Sequence, residues 1–118
     1  MHFTRRAAKE AGFEAVAFGV AAGEIALCHH HALLLSALLV VTAVVALSAF
    51  GFRRHLFVLC AIAGVLGPAA EALGVRGGAW HYTAPDFLGI PLWLPFAWGL
   101  IGILNGAIAA TVADIMRP

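Results

Sequence analysis

The chain has 118 residues, of which 63% are hydrophobic and 11% charged, with a mean hydropathy of +0.97. A soluble domain of this size keeps about a quarter of its residues charged, so most of this surface is suited to something other than water. A net charge of +1 excludes nucleic acid as a partner, because phosphate neutralisation needs clustered Lys and Arg.

Arg5-Arg6 before an apolar stretch is a feature of secretory and twin-arginine signals. Glu14 and Glu24 inside that stretch, and three histidines after Cys28 in place of a cleavage site, instead predict a retained first membrane helix. It spans about residues 11–28. A second apolar segment follows at 32–51, with nothing more polar than Ser36, Thr42 and Ser48. The third runs 56–75 and the fourth 89–112. Segments of this length cross the ~30 Å hydrocarbon layer at 1.5 Å per residue. The expected fold is an all-α, integral membrane bundle of four transmembrane helices forming a single domain, 1–118.

Loop charge sets the expected orientation. Arg5, Arg6 and Lys9 precede the first helix, Arg53 and Arg54 join the second to the third, and Arg117 follows the fourth. The other two connections hold only Arg76. The positive-inside rule then places both termini in the cytoplasm. Ala11, Ala15, Gly19 and Gly23 draw a small-residue stripe down the first helix, and Gly102 and Gly106 repeat the spacing in the fourth. Such stripes let helices approach closely in lipid. They support a compact bundle and predict self-assembly with contacts at Gly19 and Gly106.

Ionisable groups inside a membrane are costly and need a partner or a purpose. Glu14, one turn into the first helix, is expected to reach the surface or pair with Arg5, Arg6 or Lys9. Glu24 and Glu71 approach one membrane level from two different helices, near His29, His30, His31 and His81. Burial raises a carboxyl pKa and suits it to act as an acid. A second reading has carboxylate and imidazole ligands hold a metal, and a third is structural, with the acids holding loop backbone and closing the bundle. No HxxxH or ExxH pair sets two ligands on one helix face, and Cys28 and Cys60 lack metal-type spacing. No metal or other cofactor is expected. Gly74, Gly77 and Gly78 are expected to end the third helix. Pro91 and Pro95 are expected in the first turns of the fourth, with Trp80, Tyr82, Trp93 and Trp98 adding aromatic surface.

The pattern Glu71-x-x-Gly74, Gly78-x-Trp80-x-Tyr82, Gly89-Ile90-Pro91 and Trp98 resembles a segment of carotenoid-biosynthesis membrane proteins. These are the carotenoid hydratases and the heterodimeric lycopene cyclases of bacteria and archaea. The resemblance covers residues 67–99, about a quarter of the chain. It implies acid-type, non-redox chemistry on a polyene or isoprenoid lipid within a prokaryotic inner membrane. Glu71 would be the proton donor and Glu24 a second acid. Trp80, His81, Tyr82, Trp93 and Trp98 would line the substrate site, the aromatic rings steadying a cationic intermediate. A chain this small implies a homo-oligomer or a partner subunit. From another class, the same features fit a non-catalytic accessory subunit of a larger membrane complex, binding lipid or pigment.

Overall fold

A computed structural model describes residues 4–118 and consists of four helices: α1 (Arg5–Cys28), α2 (Ala32–Ala49), α3 (Arg54–Arg76) and α4 (Leu94–Met116). Each is long and apolar enough to cross a membrane. No strand is formed among the described residues, only an isolated bridge between Phe87 and Ile90.

Capping explains where the helices begin and end. α1 starts six residues earlier than hydropathy suggests, because Thr4 accepts the Ala7 N–H at 3.0 Å and caps a run of Arg, Ala, Lys and Glu. α2 stops at Ala49, where Gly51 and Phe52 take the left-handed conformation (φ 79° and 52°). The Phe52 N–H then reaches back to Leu47 O at 2.7 Å and satisfies a terminal carbonyl. Gly74 lies inside α3, which continues to Arg76 and closes with Gly78 at φ 80° and Ala79 N–H on Gly74 O. The fourth helix begins at Leu94, five residues later than expected. Leu88 and Gly89 are both left-handed (φ 49° and 78°), and Phe87 and Ile90 exchange backbone hydrogen bonds across that turn. The apolar run 89–93 is therefore loop, with Pro91 before the helix and Pro95 within its first turn.

α4 is the central element and packs against all three others, whereas α3 packs chiefly against α4. Its buried side chains Leu100, Ile103, Leu104 and Ala107 form the core with Leu35, Leu39, Ala46 and Leu56. The α3–α4 contact depends on missing side chains. A Cβ at Gly102 would lie 2.8 Å from the Ala63 Cβ and closer still to the Leu59 carbonyl oxygen. One at Gly106 would lie 2.5 Å from a Leu59 methyl group. Gly64 faces the backbone of Pro95 and Gly99 in the same seam. The Gly102–Gly106 stripe thus holds the bundle itself together, a correction to its expected place in assembly.

Gly19 and Gly23 differ, since a Cβ at either meets nothing within 4 Å. Gly102→Leu should therefore destabilise the protein by about 1–3 kcal/mol through overpacking, while Gly19→Leu should stay within about 0.5 kcal/mol of wild type as a monomer. Unfolding in mild detergent, followed by helical circular dichroism, checks both values.

Candidate functional site at the α3–α4 loop

Two turns of α3 present Gly67, Glu71 and Gly74 on one face, at the i, i+4, i+7 spacing that aligns residues along a helix. The Trp98 indole lies on Gly67 and the Trp80 indole on Gly74, each occupying the volume a Cβ would need. Between them the Glu71 carboxylate accepts two hydrogen bonds. Trp98 Nε1–H donates to Oε2 at 2.5 Å, and the Tyr82 hydroxyl donates to Oε1. One carboxylate thereby joins α3, the 77–93 loop and the first turns of α4. The loop is also fixed from within, where Asp86 accepts the Leu92 N–H at 2.8 Å. Gly89 is set so close to Val75 that a Cβ would lie 2.6 Å from its methyl group.

The expected aromatic residues divide. Tyr82 and Trp98 bind Glu71, Trp80 covers Gly74 while remaining 44% exposed, and Trp93 is buried. Trp93 and Tyr82 line a cavity of about 140 Å³ together with Ile25, His29 and Pro91. That is below the about 300 Å³ at which small-molecule pockets begin. His81 is exposed and makes no hydrogen bond among the described residues.

The two acids do not share a site. Glu24 receives the Thr42 hydroxyl of α2 at 2.5 Å, and its second oxygen is buried with no hydrogen-bond partner. Glu71 is committed to the loop and α4, and α1 does not pack substantially against α3. Of the histidines expected around both acids, His29 and His30 contact each other edge to face, with ring centroids 3.8 Å apart. Among the described residues no group of three or more His, Cys, Asp or Glu could hold a metal ion.

Glu14 also departs from expectation. It is 5% exposed and faces α4, where Thr111 donates to it at 2.8 Å. The partner of the arginines is Glu10, which meets Arg6 at 3.1 Å and Arg53 at 3.5 Å. Glu10 also lies 3.2 Å from Thr111. Glu10, Thr42 and Thr111 were not singled out from the sequence. The signal available was the 10–14–17–21–24 series, which puts three carboxyl groups on one face of α1. Comparison with protein-family models, with curated proteins and with solved structures finds no match.

Burial raises the Tyr82 phenol above its ordinary value of 10.0, and the hydrogen bond to Glu71 and that group's negative charge raise it further. A raised value in the folded state means the latch is intact below about pH 10 and loses its contribution as pH climbs past that point. Tyr82 is the chain's one tyrosine, so phenolate absorbance reads this group alone. Folded protein should show phenolate only above the ordinary tyrosine range. Glu71→Gln, which removes the charge, should bring the titration midpoint down. An ordinary midpoint in wild type would mean that Tyr82 does not sit against the carboxylate.

Proposed function

We propose that this chain is a four-span protein of a bacterial or archaeal inner membrane that acts as a non-catalytic subunit of a membrane assembly. Its termini and Arg53–Arg54 lie in the cytoplasm, and the 77–93 loop faces outward. The engagement of both Glu71 oxygens, by Tyr82 and by Trp98, carries this reading. An acid catalyst has to offer its proton to a substrate, and here both oxygens accept from fixed protein donors. Trp Nε1–H can only donate, which suits a carboxylate acting as a latch. The cavity beside it is too small for a long polyene.

Assembly is supported by what the bundle leaves unused. A Cβ at Gly19 or Gly23 on α1 would meet nothing within 4 Å, and Asn105 is exposed in the middle of α4. Small residues and exposed amides on spanning helices are contact points for other helices. The occupant is a second copy of the chain or a partner subunit, joined by lipid or pigment.

A second reading, acid-type chemistry on an isoprenoid or polyene lipid, rests on the resemblance to the carotenoid-biosynthesis proteins. The two indoles and one phenol around Glu71 favour it, since such rings stabilise cations. Replacing Glu71 separates the two. Glu71→Gln can accept from Trp98 through its carbonyl oxygen and donate to the Tyr82 oxygen, so thermal stability should be nearly unchanged. Glu71→Leu leaves both donors unpaired and should cost about 1–3 kcal/mol. Under the subunit reading, membranes expressing Glu71→Gln keep the same extractable isoprenoids and pigments as wild type. Loss of one polyene with accumulation of its precursor, the protein still folded, would establish catalysis instead.

The orientation has its own check in a variant lacking Cys28 and Cys60. A cysteine at Gly77 should react with an impermeant reagent from outside, and one at Arg54 should not.

A further inference from the structure

A wide groove lies at the opposite end of the bundle from the Glu71 latch. It has a volume of about 730 Å³ and opens between the start of α1 and the α2–α3 connection. Three cations, Arg6, Lys9 and Arg53, stand around it with a single carboxylate, Glu10. Glu10 engages Arg6 through Nε and Arg53 through one terminal nitrogen. A guanidinium has five N–H donors, so most of both remain available. Lys9 is exposed and makes no ion pair among the described residues. The rim therefore offers unspent donors and an excess of positive charge.

Below the rim the groove turns apolar. Phe13 and Phe50 meet edge to face, with centroids 5.4 Å apart, and line it together with Val16. Gly12 leaves open space, since a Cβ there would meet nothing within 4 Å. Phe13 and Val16 also line a second cavity of about 270 Å³ between α1 and α2, which continues past Val20, Val41 and Val45. From Phe13 to Val20 the helix rises about 10 Å, most of the about 15 Å that one leaflet's hydrocarbon occupies. A cationic mouth over a long apolar furrow is the shape of an amphiphile with an anionic head.

We propose that this α1–α2 groove is a binding site for an anionic phospholipid. Its phosphate lies among Arg6, Lys9 and Arg53, and one acyl chain lies along Phe13, Val16 and Val20. The inference goes beyond the subunit reading and needs only that the bundle sits in a bilayer, so failure of either leaves the other standing. Basic residues at a membrane surface attract anionic lipid in general. The furrow distinguishes a seated lipid from a merely attracted one.

Native mass spectrometry of the purified protein in neutral detergent, with phosphatidylglycerol or phosphatidylcholine of identical chains, tests this. Phosphatidylglycerol should be retained at least about tenfold better, a difference of about 1.4 kcal/mol. Lys9→Gln, at a side chain without an ion-pair partner, should reduce that preference severalfold. Val16→Trp leaves every charge in place and fills the furrow at a side chain that is 64% exposed, and it should abolish retention. Arg76→Gln, at the far end, should change nothing. The Tyr82 titration confirms that each variant is folded. Equal retention of the two lipids, or a phosphatidylglycerol preference that survives Val16→Trp, would overturn the proposal. So would displacement by inorganic phosphate alone, which would indicate a site for free anion. A dimer that excludes lipid and dissociates in Val16→Trp would assign the groove to a second copy of the chain.

Discussion

Hydrocarbon offers no hydrogen-bond partner, so a carboxyl group carried into it must find one on its own protein. Three carboxyl groups on the apolar helices have such partners, each across an interface between elements. Glu14 ties α1 to α4 through Thr111, Glu24 ties α1 to α2 through Thr42, and Glu71 ties α3 to the loop and α4 through Tyr82 and Trp98. The helices that pack against one another are largely those joined in this way. Two of the four partners are threonines that also contact the carbonyl four residues earlier in their own helix. Such a hydroxyl needs no special backbone to be carried in an apolar segment. The polar contacts therefore set which face of each helix turns inward, and the apolar side chains fill in around them.

Glycine does the complementary work on α3 and α4. In a bilayer, apolar side chains would gain little by turning from lipid toward each other, and close backbone approach would be the source of helix contact. Gly64, Gly99, Gly102 and Gly106 supply it along the seam, and Gly67 and Gly74 receive the indoles that cap its loop end. The result is a three-helix body of α1, α2 and α4 with α3 held on one side. Pro68, buried within α3 and lacking an amide hydrogen, sits beside Gly67 in that attached helix.

Much of this was legible in the residues. Length and hydropathy gave four spans, and the acid near the end of the third, with aromatic residues following, marked the loop where Glu71, Tyr82 and Trp98 meet. What was hidden has identifiable causes. Glu14 lies about two turns from Arg6 in sequence, yet its helical face points to α4, and only the packing of two helices distant in the chain reveals Thr111 as its partner. Thr42 and Thr111 looked ordinary because a hydroxyl in an apolar helix can always bond its own backbone. Gly102 and Gly106 announced a close contact without naming the partner, which proved to be α3 of the same chain. The start of α4 was misplaced because Gly89–Trp93 is as apolar as the helix it precedes. Two successive left-handed residues, Leu88 and Gly89, turn the backbone there, and leucine gives no warning of such a conformation. The apparent convergence of Glu24 and Glu71 came from equal depth, which says nothing about which helices are neighbours.

The one-sided attachment of α3 has a thermal consequence. When α3 leaves α4 within a bilayer, the surfaces it uncovers meet lipid chains. The large heat-capacity change of ordinary unfolding comes from hydrating apolar surface, and that contribution would be nearly missing for a bundle seated in a bilayer. The free energy of the α3–α4 contact should then fall almost linearly with temperature, without the curved maximum of a water-soluble domain. Cooling, which weakens a core assembled by expelling water, would leave this seam progressively tighter. The 77–93 loop would stiffen with it, since its Tyr82 is fastened to Glu71 of α3.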